Sequence, residues 1–251
     1  MSKDDAVVRP EHFVRYLRKG VGLRASETRL PERAVIVFGG QDFRTLRRML
    51  RAKSMKWNDR LCVGRAGDRP VAVTRTPIGA PATAITMEET AALGARAFLA
   101  FGACGSLVPR LKIGDVVVPT FAHPDEGTSR HYGRPARPIP DTALKEALVR
   151  ACNARSIPCT TGGTWTMDAV YRETFSKARA LAARGVVAVD MEASAIWTVA
   201  RHRGLRIASL FVVSDELGGD GWNPGFRHPA FLKGKKAALR VIVDVLAGNV
   251  P

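Results

Sequence analysis

The stretch VVAVDMEASAIW, residues 186–197, joins a β-branched apolar run to an apolar segment of helical spacing. Two carboxylates, Asp190 and Glu192, flank Met191 where the predicted strand gives way to the predicted helix. A strand that passes into a helix is the unit from which α/β sheets are built. The helix macrodipole alone would also explain Glu192 in a first helical turn, so a structural and a functional interpretation both stay open.

The same alternation continues on both sides of this stretch. Apolar runs that end in glycine or in acidic residues lie at 34–40, 96–105 and 206–215, and segments of helical periodicity separate them, the last one near 229–247. A hairpin pattern around the Gly-Asp pair at 67–68 adds antiparallel strands. We therefore expect an α/β fold with a mixed central sheet flanked by helices.

The domain organisation is expected to be simple. No repeat, low-complexity tract or linker interrupts the 251 residues. We expect a single domain over residues 34–251, preceded by a polar N-terminal lead-in over residues 1–33. The segment 121–140, whose second half is rich in proline and glycine, is expected to be a loop.

The composition is typical of a globular protein, with 46% hydrophobic and 25% charged residues. The N-terminal segment has no apolar signal region and no run is long enough to span a bilayer, so we expect no membrane partner. We interpret the four cysteines as free thiols and expect a cytoplasmic location without a metal, because they show neither a CxxC pair nor zinc-ligand spacing. They are Cys62, Cys104, Cys152 and Cys159.

The formal net charge of +16 raises the question of a nucleic-acid partner. The basic residues are mostly arginines that are spread over the whole chain, and a dense group such as Arg44, Arg47 and Arg48 has the spacing of one solvated helix face. We therefore expect no nucleic-acid partner. An anionic small ligand such as phosphate accounts for some of the same arginines.

Chemically useful residues follow four of the predicted strands. They are Gly39–Gly40, Gly102–Gly105, Asp190–Glu192 and Ser214–Asp215. In open α/β sheets, ligands bind outside the carboxyl ends of the strands. Glycines let backbone N–H groups approach a ligand closely, and carboxylates accept hydrogen bonds from hydroxyls or deliver protons. The sequence therefore predicts a ligand site that these four ends share.

Four segments, in this order and spacing, resemble the nucleoside phosphorylase superfamily, in the branch of uridine phosphorylase and hexameric purine nucleoside phosphorylase. They are AVIVFGGQDFR, AFGACGSLVPRLKIGDVVVP, VDMEASA and VVSDE. The resemblance runs from about residue 34 to the C-terminus and implies a nucleoside phosphorylase-like fold. It also implies that phosphate, as co-substrate, cleaves the N-glycosidic bond of a nucleoside, with a purine or related base favoured and with no metal or organic cofactor.

The resemblance also implies roles at the phosphate and the sugar. Gly40 and Arg44 fall on the family's first phosphate loop, and Arg60 falls on the arginine that reaches phosphate from a neighbouring subunit. Met191 would pack on the ribose, and Glu192 would accept hydrogen bonds from its 2′- and 3′-hydroxyls. Because Arg60 would act across a subunit boundary, a homo-oligomer built from dimers is implied as well.

At the base, Asp215 matches the catalytic aspartate that protonates N7 in purine-acting members of the family. The base would lie near Gly105, with Asp168, Tyr171 and Arg172 as the nearby wall and polar contacts. The residues alone leave other interpretations open. Asp215 could cap the next segment, Tyr171 could be a core aromatic, and Arg172 could form a surface ion pair.

One departure from the family pattern bears on the nucleophile. Phosphorylases of this family usually carry an arginine at the position of Ala100 and a serine or threonine at that of Ala103, so a bidentate clamp and a hydroxyl donor are missing here. Either other arginines hold phosphate, or water attacks instead, as in nucleosidase members. The retained Gly40 and Arg44 favour phosphate. A non-catalytic nucleoside-binding or nucleic-acid-associated protein is the third hypothesis.

Overall fold

The computed structural model describes residues 6–133, 135–219 and 221–248. The α-helices are α1 (Pro10–Lys19), α2 (Gly40–Met49), α3 (Ala80–Ala92), α4 (Thr142–Ala154), α5 (Phe175–Ala182), α6 (Ala193–Arg203) and α7 (Pro229–Ala247). The strands are β1 (Arg33–Val37), β2 (Lys53–Met55), β3 (Asn58–Ala66), β4 (Arg69–Arg75), β5 (Ala97–Ser106), β6 (Val116–Asp125), β7 (Cys159–Met167), β8 (Val186–Asp190), β9 (Arg206–Glu216) and β10 (Asn223–Pro224). The alternation of strands and helices predicted from the sequence is confirmed.

These strands form one sheet in the order β10-β9-β6-β7-β8-β5-β1-β4-β3-β2. Strand β1 pairs in parallel with β4 and β5, whereas β3 and β4 form the predicted antiparallel hairpin. The mixed central sheet is therefore confirmed. Strand β5 also pairs with β9, so that β5, β9, β6, β7 and β8 close into a ring. No local sequence pattern predicted this closure.

The sheet is buried on both faces, which explains why its strands are nearly continuous apolar runs. In β1, Ala34 and Ile36 belong to the core cluster that includes residues of α1, α3 and α6. Val35 and Val37 point the other way, into the cluster that includes residues of α2, α4 and α7. The core thus lies in two layers, one on each face of the central strands.

The segment 121–140 is not a loop throughout, so that prediction was wrong at its N-terminal end. Strand β6 continues to Asp125, and residues Ser129–His131 form a turn of 3-10 helix. The reason is tertiary: β6 pairs with β7 as far as Asp125–Met167, with a register irregularity between Pro119 and Phe121. Pairing with a neighbouring strand outweighed the local turn signals of the sequence.

The N-terminal lead-in carries helix α1, whose Val14 and Leu17 are buried in the same core cluster as Ile36. Residues 1–5 and 249–251 of the predicted division lie outside the described residues. Within the described part of the chain, no helix combines the length and apolar character that a membrane span requires.

Strand register brings the chemically useful ends together. Val37 at the end of β1 is paired with Arg75 of β4 on one side and with Phe101 of β5 on the other. Farther along β5, Gly105 is paired with both Val189 and Asp215. The residues that follow β1, β5, β8 and β9 therefore meet at one edge of the sheet.

Candidate active site

A cavity of about 660 Å³ opens at this edge. Five of the predicted site residues line it, namely Gly105, Tyr171, Met191, Glu192 and Asp215. They come from β5, β9 and the segments that follow β7 and β8. A cavity of this size with a few convergent polar groups is the usual form of a small-molecule site.

The two carboxylates around Met191 have different surroundings. Asp190 ends β8 and is buried, and its Oδ2 accepts hydrogen bonds from the backbone N–H groups of Glu192 (2.7 Å) and Ala193 (2.6 Å). Its Oδ1 accepts hydrogen bonds from two threonine hydroxyls of β7, each at 2.9 Å. Asp190 therefore anchors the turn that leads into α6 and ties β8 to β7.

Glu192 faces the cavity, although only 7% of it is exposed. Its Oε1 accepts a 2.6 Å hydrogen bond from the backbone N–H of Gly79, which precedes α3. Burial, together with the charge of Asp190, raises the pKa of Glu192 to about 8. The two carboxylates thus differ: Asp190 stabilises the turn between β8 and α6, whereas Glu192 faces the cavity.

Asp215 is held at the end of β9. Its Oδ1 accepts a 2.6 Å hydrogen bond from the hydroxyl of Ser214, and its Oδ2 accepts a 2.8 Å hydrogen bond from the indole N–H of Trp222. A β-carbon added to Gly105 would lie 2.5 Å from Leu217 and 3.3 Å from Asp215 Oδ2. A side chain at position 105 would therefore clash with Leu217 and crowd the Asp215 carboxylate.

Glu173 also lines the cavity, and the sequence did not single it out. Burial, together with the negative charge of Asp215, raises the pKa of Glu173 to about 7. A carboxyl group with such a pKa can donate or accept a proton near neutral pH. The exposed aromatic side chains of Trp222 and Phe226 lie at the same cavity, with their ring centroids 6.3 Å apart.

The predicted phosphate loop adjoins the cavity through Gly39, which lines it. Helix α2 begins at Gly40, and Arg44 is exposed one turn later. Nearby, Lys235 of α7 lines the cavity but is paired with Asp42, with 2.7 Å between Nζ and Oδ1. The cation that faces the cavity is therefore already neutralised by a buried carboxylate.

Three of the predicted residues lie elsewhere. Arg60 lines a separate pocket of about 150 Å³ beside Trp57 and Arg75. Asp168 does not line the large cavity, and its Oδ2 accepts a 2.9 Å hydrogen bond from the backbone N–H of Gly127. Arg172 is exposed and does not line the large cavity. The ion pairs found among the described residues do not include it.

The two alanines that break the family pattern have different positions. Ala100 is fully buried within β5, whereas Ala103 lines the cavity. In the described residues, no group of three or more His, Cys, Asp or Glu side chains could hold a metal ion.

The sequence analysis missed Glu173, Trp222 and Lys235. The aromatic and acidic character of the segments 170–175 and 215–226 was visible in the sequence. No spacing rule, however, would have joined Trp222 to Asp215, because that contact depends on how the chain turns after β9.

Comparisons with known proteins agree with this geometry. A family model described as the phosphorylase superfamily matches residues 32–247. A guanosine phosphorylase from Halorubrum lacusprofundi is 33% identical over 146 residues, which are 58% of this chain and 61% of that protein. A DeoD-type purine nucleoside phosphorylase from Myxococcus xanthus is 30% identical over 177 residues, covering 69% of this chain and 74% of that protein.

Among solved structures, the purine nucleoside phosphorylase of Toxoplasma gondii in complex with immucillin-H is similar, with a TM-score of 0.78. The sequence identity is 23%, and the match covers 90% of this chain and 94% of that one, so it supports the fold. The chain spans about three fifths of the length of the curated guanosine phosphorylase that it matches.

Proposed function

The chain belongs to the phosphorylase superfamily, and we propose that it cleaves the N-glycosidic bond of a nucleoside with phosphate. The products would be the free base and a pentose 1-phosphate. Because relatives include proteins named guanosine phosphorylase and purine nucleoside phosphorylase, we favour a purine or a related base. The observation that carries the proposal is that Met191, Glu192, Gly105 and Asp215, which are far apart in sequence, line one cavity.

At the sugar, we propose that Glu192 accepts hydrogen bonds from two ribose hydroxyls while Met191 packs against the ring. Fixing the sugar in this way would give the attack on the anomeric carbon a defined direction. The bond from the Gly79 N–H limits the movement of the Glu192 carboxylate before the ligand arrives. Such preorganisation is what a transition-state stabilising group requires.

At the base, we propose that Asp215 is the catalytic residue that contacts N7. Negative charge develops on the base as the glycosidic bond breaks, so a proton must arrive there. Glu173 lines the same cavity and has a pKa of about 7, raised by burial and by Asp215, so it can supply a proton to this end of the cavity. Tyr171 would form part of the wall beside the base. Asp168 and Arg172 are near Tyr171 in sequence but do not line the cavity.

At the phosphate, we propose that Gly40 and Arg44 hold the nucleophile and that Arg60 of a neighbouring subunit completes the site. Arg60 lies outside the large cavity of its own chain, which suits a role in a second copy. The protein would then be a homo-oligomer built from dimers. We also propose the cytoplasm as its location, because the cysteines at 62, 104, 152 and 159 are free thiols.

One observation favours a second candidate, a hydrolytic nucleosidase. Ala103 faces the cavity where the family's phosphorylases place a hydroxyl donor, and the buried methyl group of Ala100 cannot replace a guanidinium. A site with fewer phosphate ligands could admit water as the nucleophile.

The test is a panel of purine and pyrimidine nucleosides, each incubated with the full chain in the presence and in the absence of phosphate. We expect base release that depends on phosphate. Equal rates without phosphate would identify a nucleosidase. Tight nucleoside binding without base release under either condition would identify a non-catalytic binding protein.

The assembly has its own test, light scattering of the active protein at assay concentration. We expect a mass that is an even multiple of the 27.2 kDa chain. A fully active monomer would contradict a role for Arg60 across a subunit boundary.

A further inference from the structure

Two guanidinium groups converge over the backbone of Gly40. A side-chain carbon placed on Gly40 would lie 3.1 Å from Nη1 of Arg75 and 3.5 Å from Nη1 of Arg44. Arg75 arrives from the end of β4, because Val37 and Arg75 are paired in register and the N–H of Thr76 donates to the carbonyl of Val37. Arg44 arrives from α2, one turn after the helix begins at Gly40.

Among the residues that the structure describes, no carboxylate forms an ion pair with either guanidinium group. The nearby Lys235, by contrast, is paired with Asp42. Two like charges that meet without a counter-ion repel each other. An anion that both groups contact would relieve this repulsion.

The side chain of Arg75 is held in this position from the other side. Its guanidinium carbon lies 5.9 Å from the centre of the Phe43 ring, and the residue is half-buried. A guanidinium over an aromatic face keeps its N–H donors available for a planar, bidentate contact. A tetrahedral oxyanion with several acceptor oxygens matches two such donors better than a single carboxylate does.

We propose that Arg75 is the second guanidinium ligand of the phosphate that Arg44 holds at Gly40. This inference rests on the proposed function, since it takes inorganic phosphate as the anion. In the sheet, β1 lies between β5 and β4. Arg75 thus approaches Gly40 from β4, on the opposite side of β1 from the strand that carries Ala100.

The test uses the full chain with inorganic phosphate alone as the probe. Phosphate binding is measured by isothermal titration calorimetry and by thermal unfolding. The variants are Arg75→Gln and Arg44→Gln, with Arg48→Gln as the matched control on an exposed part of α2. We expect each of the first two to weaken phosphate binding by about 10-fold or more, since each removes a charge-assisted contact. Arg48→Gln should leave phosphate affinity within about twofold.

Thermal unfolding separates a ligand role from a structural one. In phosphate-free buffer, Arg75→Gln should leave the melting temperature unchanged or raised, because it removes one of two repelling charges. Added phosphate should then stabilise the variant far less than the wild type. A lower melting temperature without phosphate, together with unchanged phosphate affinity, would show that Arg75 is a structural residue.

The outcomes also separate this inference from the proposed function. Phosphate binding that needs Arg75, in a protein whose base release ignores phosphate, would support the ligand role and refute phosphorolysis. Phosphate-dependent turnover with an unchanged KM for phosphate in Arg75→Gln would refute the ligand role and support phosphorolysis. A wild-type chain that binds no phosphate would overturn the inference.

Discussion

The two ends of the candidate site are built in opposite ways. At the end formed by Asp190, Glu192 and Asp215, the carboxylates accept hydrogen bonds from backbone N–H groups, hydroxyls or an indole of the same chain. At the end formed by Arg44 and Arg75, the guanidinium groups converge without a carboxylate partner in the described residues. The carboxylates of the first end have their hydrogen-bond donors within the folded chain, and in our proposal an anion completes the second end.

This difference shows that the charges at the two ends of the site are stabilised in different ways. Asp190 and Glu192 are buried, so their charges cost desolvation energy, and the pKa of Glu192 rises to about 8 as a result of burial and the Asp190 charge. The guanidinium end is more exposed, so its charges stay hydrated until phosphate arrives. In our proposal, the chain prepares the sugar and base end, and the co-substrate supplies the charge at the other end.

The largest expected effect is a loss of stability when the Asp190 carboxylate is removed. Asp190→Ala removes the acceptor of four hydrogen bonds, two of them from N–H groups at the start of α6. We expect the free energy of unfolding to fall by about 3 kcal/mol, because buried donors are left unpaired. Denaturant unfolding measures this loss.

The matched control is Asp141→Ala, which removes an N-terminal cap from α4. Asp141 accepts a bond from Leu144 N–H and pairs with Arg206, whose side chain is half exposed. We expect a cost of about 1 kcal/mol. Equal losses in the two variants would contradict the distinction between a rigid site anchor and an ordinary cap.

The next effect concerns turnover. Glu192→Gln keeps an acceptor for the Gly79 N–H, so the fold should persist, but above pH 8, where Glu192 is ionised, the charged acceptor for two sugar hydroxyls is lost. We expect kcat/KM for a ribonucleoside to fall on the order of 100-fold. This corresponds to a loss of about 2–3 kcal/mol of transition-state stabilisation. Steady-state kinetics measure it, with the exposed Glu146→Gln as control. Near-normal turnover in E192Q would remove Glu192 from the site.

A smaller effect is the pH dependence of stability. The pKa of Glu192 is about 8 in the folded chain, raised by burial and by Asp190, against an ordinary value of 4.5. Below pH 4.5 both states are protonated. As the pH rises toward 8, the unfolded chain releases this proton while the folded chain retains it, so stability from this group is lost.

Gln does not titrate, so the E192Q variant should gain stability relative to the wild type between pH 5 and pH 8, by about 1 kcal/mol or more. Thermal unfolding of both proteins across this range measures the difference. Above pH 8 the difference should be constant. A difference that does not change with pH would mean that the folded chain does not disfavour the Glu192 charge.

The sequence could predict those parts of the molecule that depend on local periodicity and on motif residues. The strand and helix around Asp190, the hairpin of β3 and β4, and helix α7 follow directly from spacing. Ligands of open α/β sheets bind outside the carboxyl ends of the strands, and on this ground the sequence predicts that Glu192 and Asp215 lie at one edge of the sheet. In the structure, Glu192 and Asp215 both line one cavity, and their shared role at a ligand stays a prediction.

The features that the sequence could not predict depend on contacts between distant segments. The pairing of β5 with both β8 and β9, the bond from Trp222 to Asp215, and the approach of Arg75 to Gly40 each join elements whose relative position no local pattern encodes. The strand through Asp125 was missed for the same reason, because β7 extends it by pairing. In the sequence, nothing distinguishes Arg75 from the other arginines of this basic chain. Only the pairing of β4 with β1 places it beside the end of β1.

The most direct test of the central claim follows the oxygen that becomes attached to the anomeric carbon. The full chain is incubated with a nucleoside that it cleaves, with phosphate, in water enriched in ¹⁸O, and the sugar product is analysed by mass spectrometry. We expect pentose 1-phosphate in which the anomeric oxygen carries no ¹⁸O, because that oxygen comes from phosphate held at Gly40 and Arg44. Free pentose as the only sugar product from the start of the reaction, or pentose 1-phosphate formation that does not accompany base release, would show that water is the nucleophile and would contradict phosphorolysis.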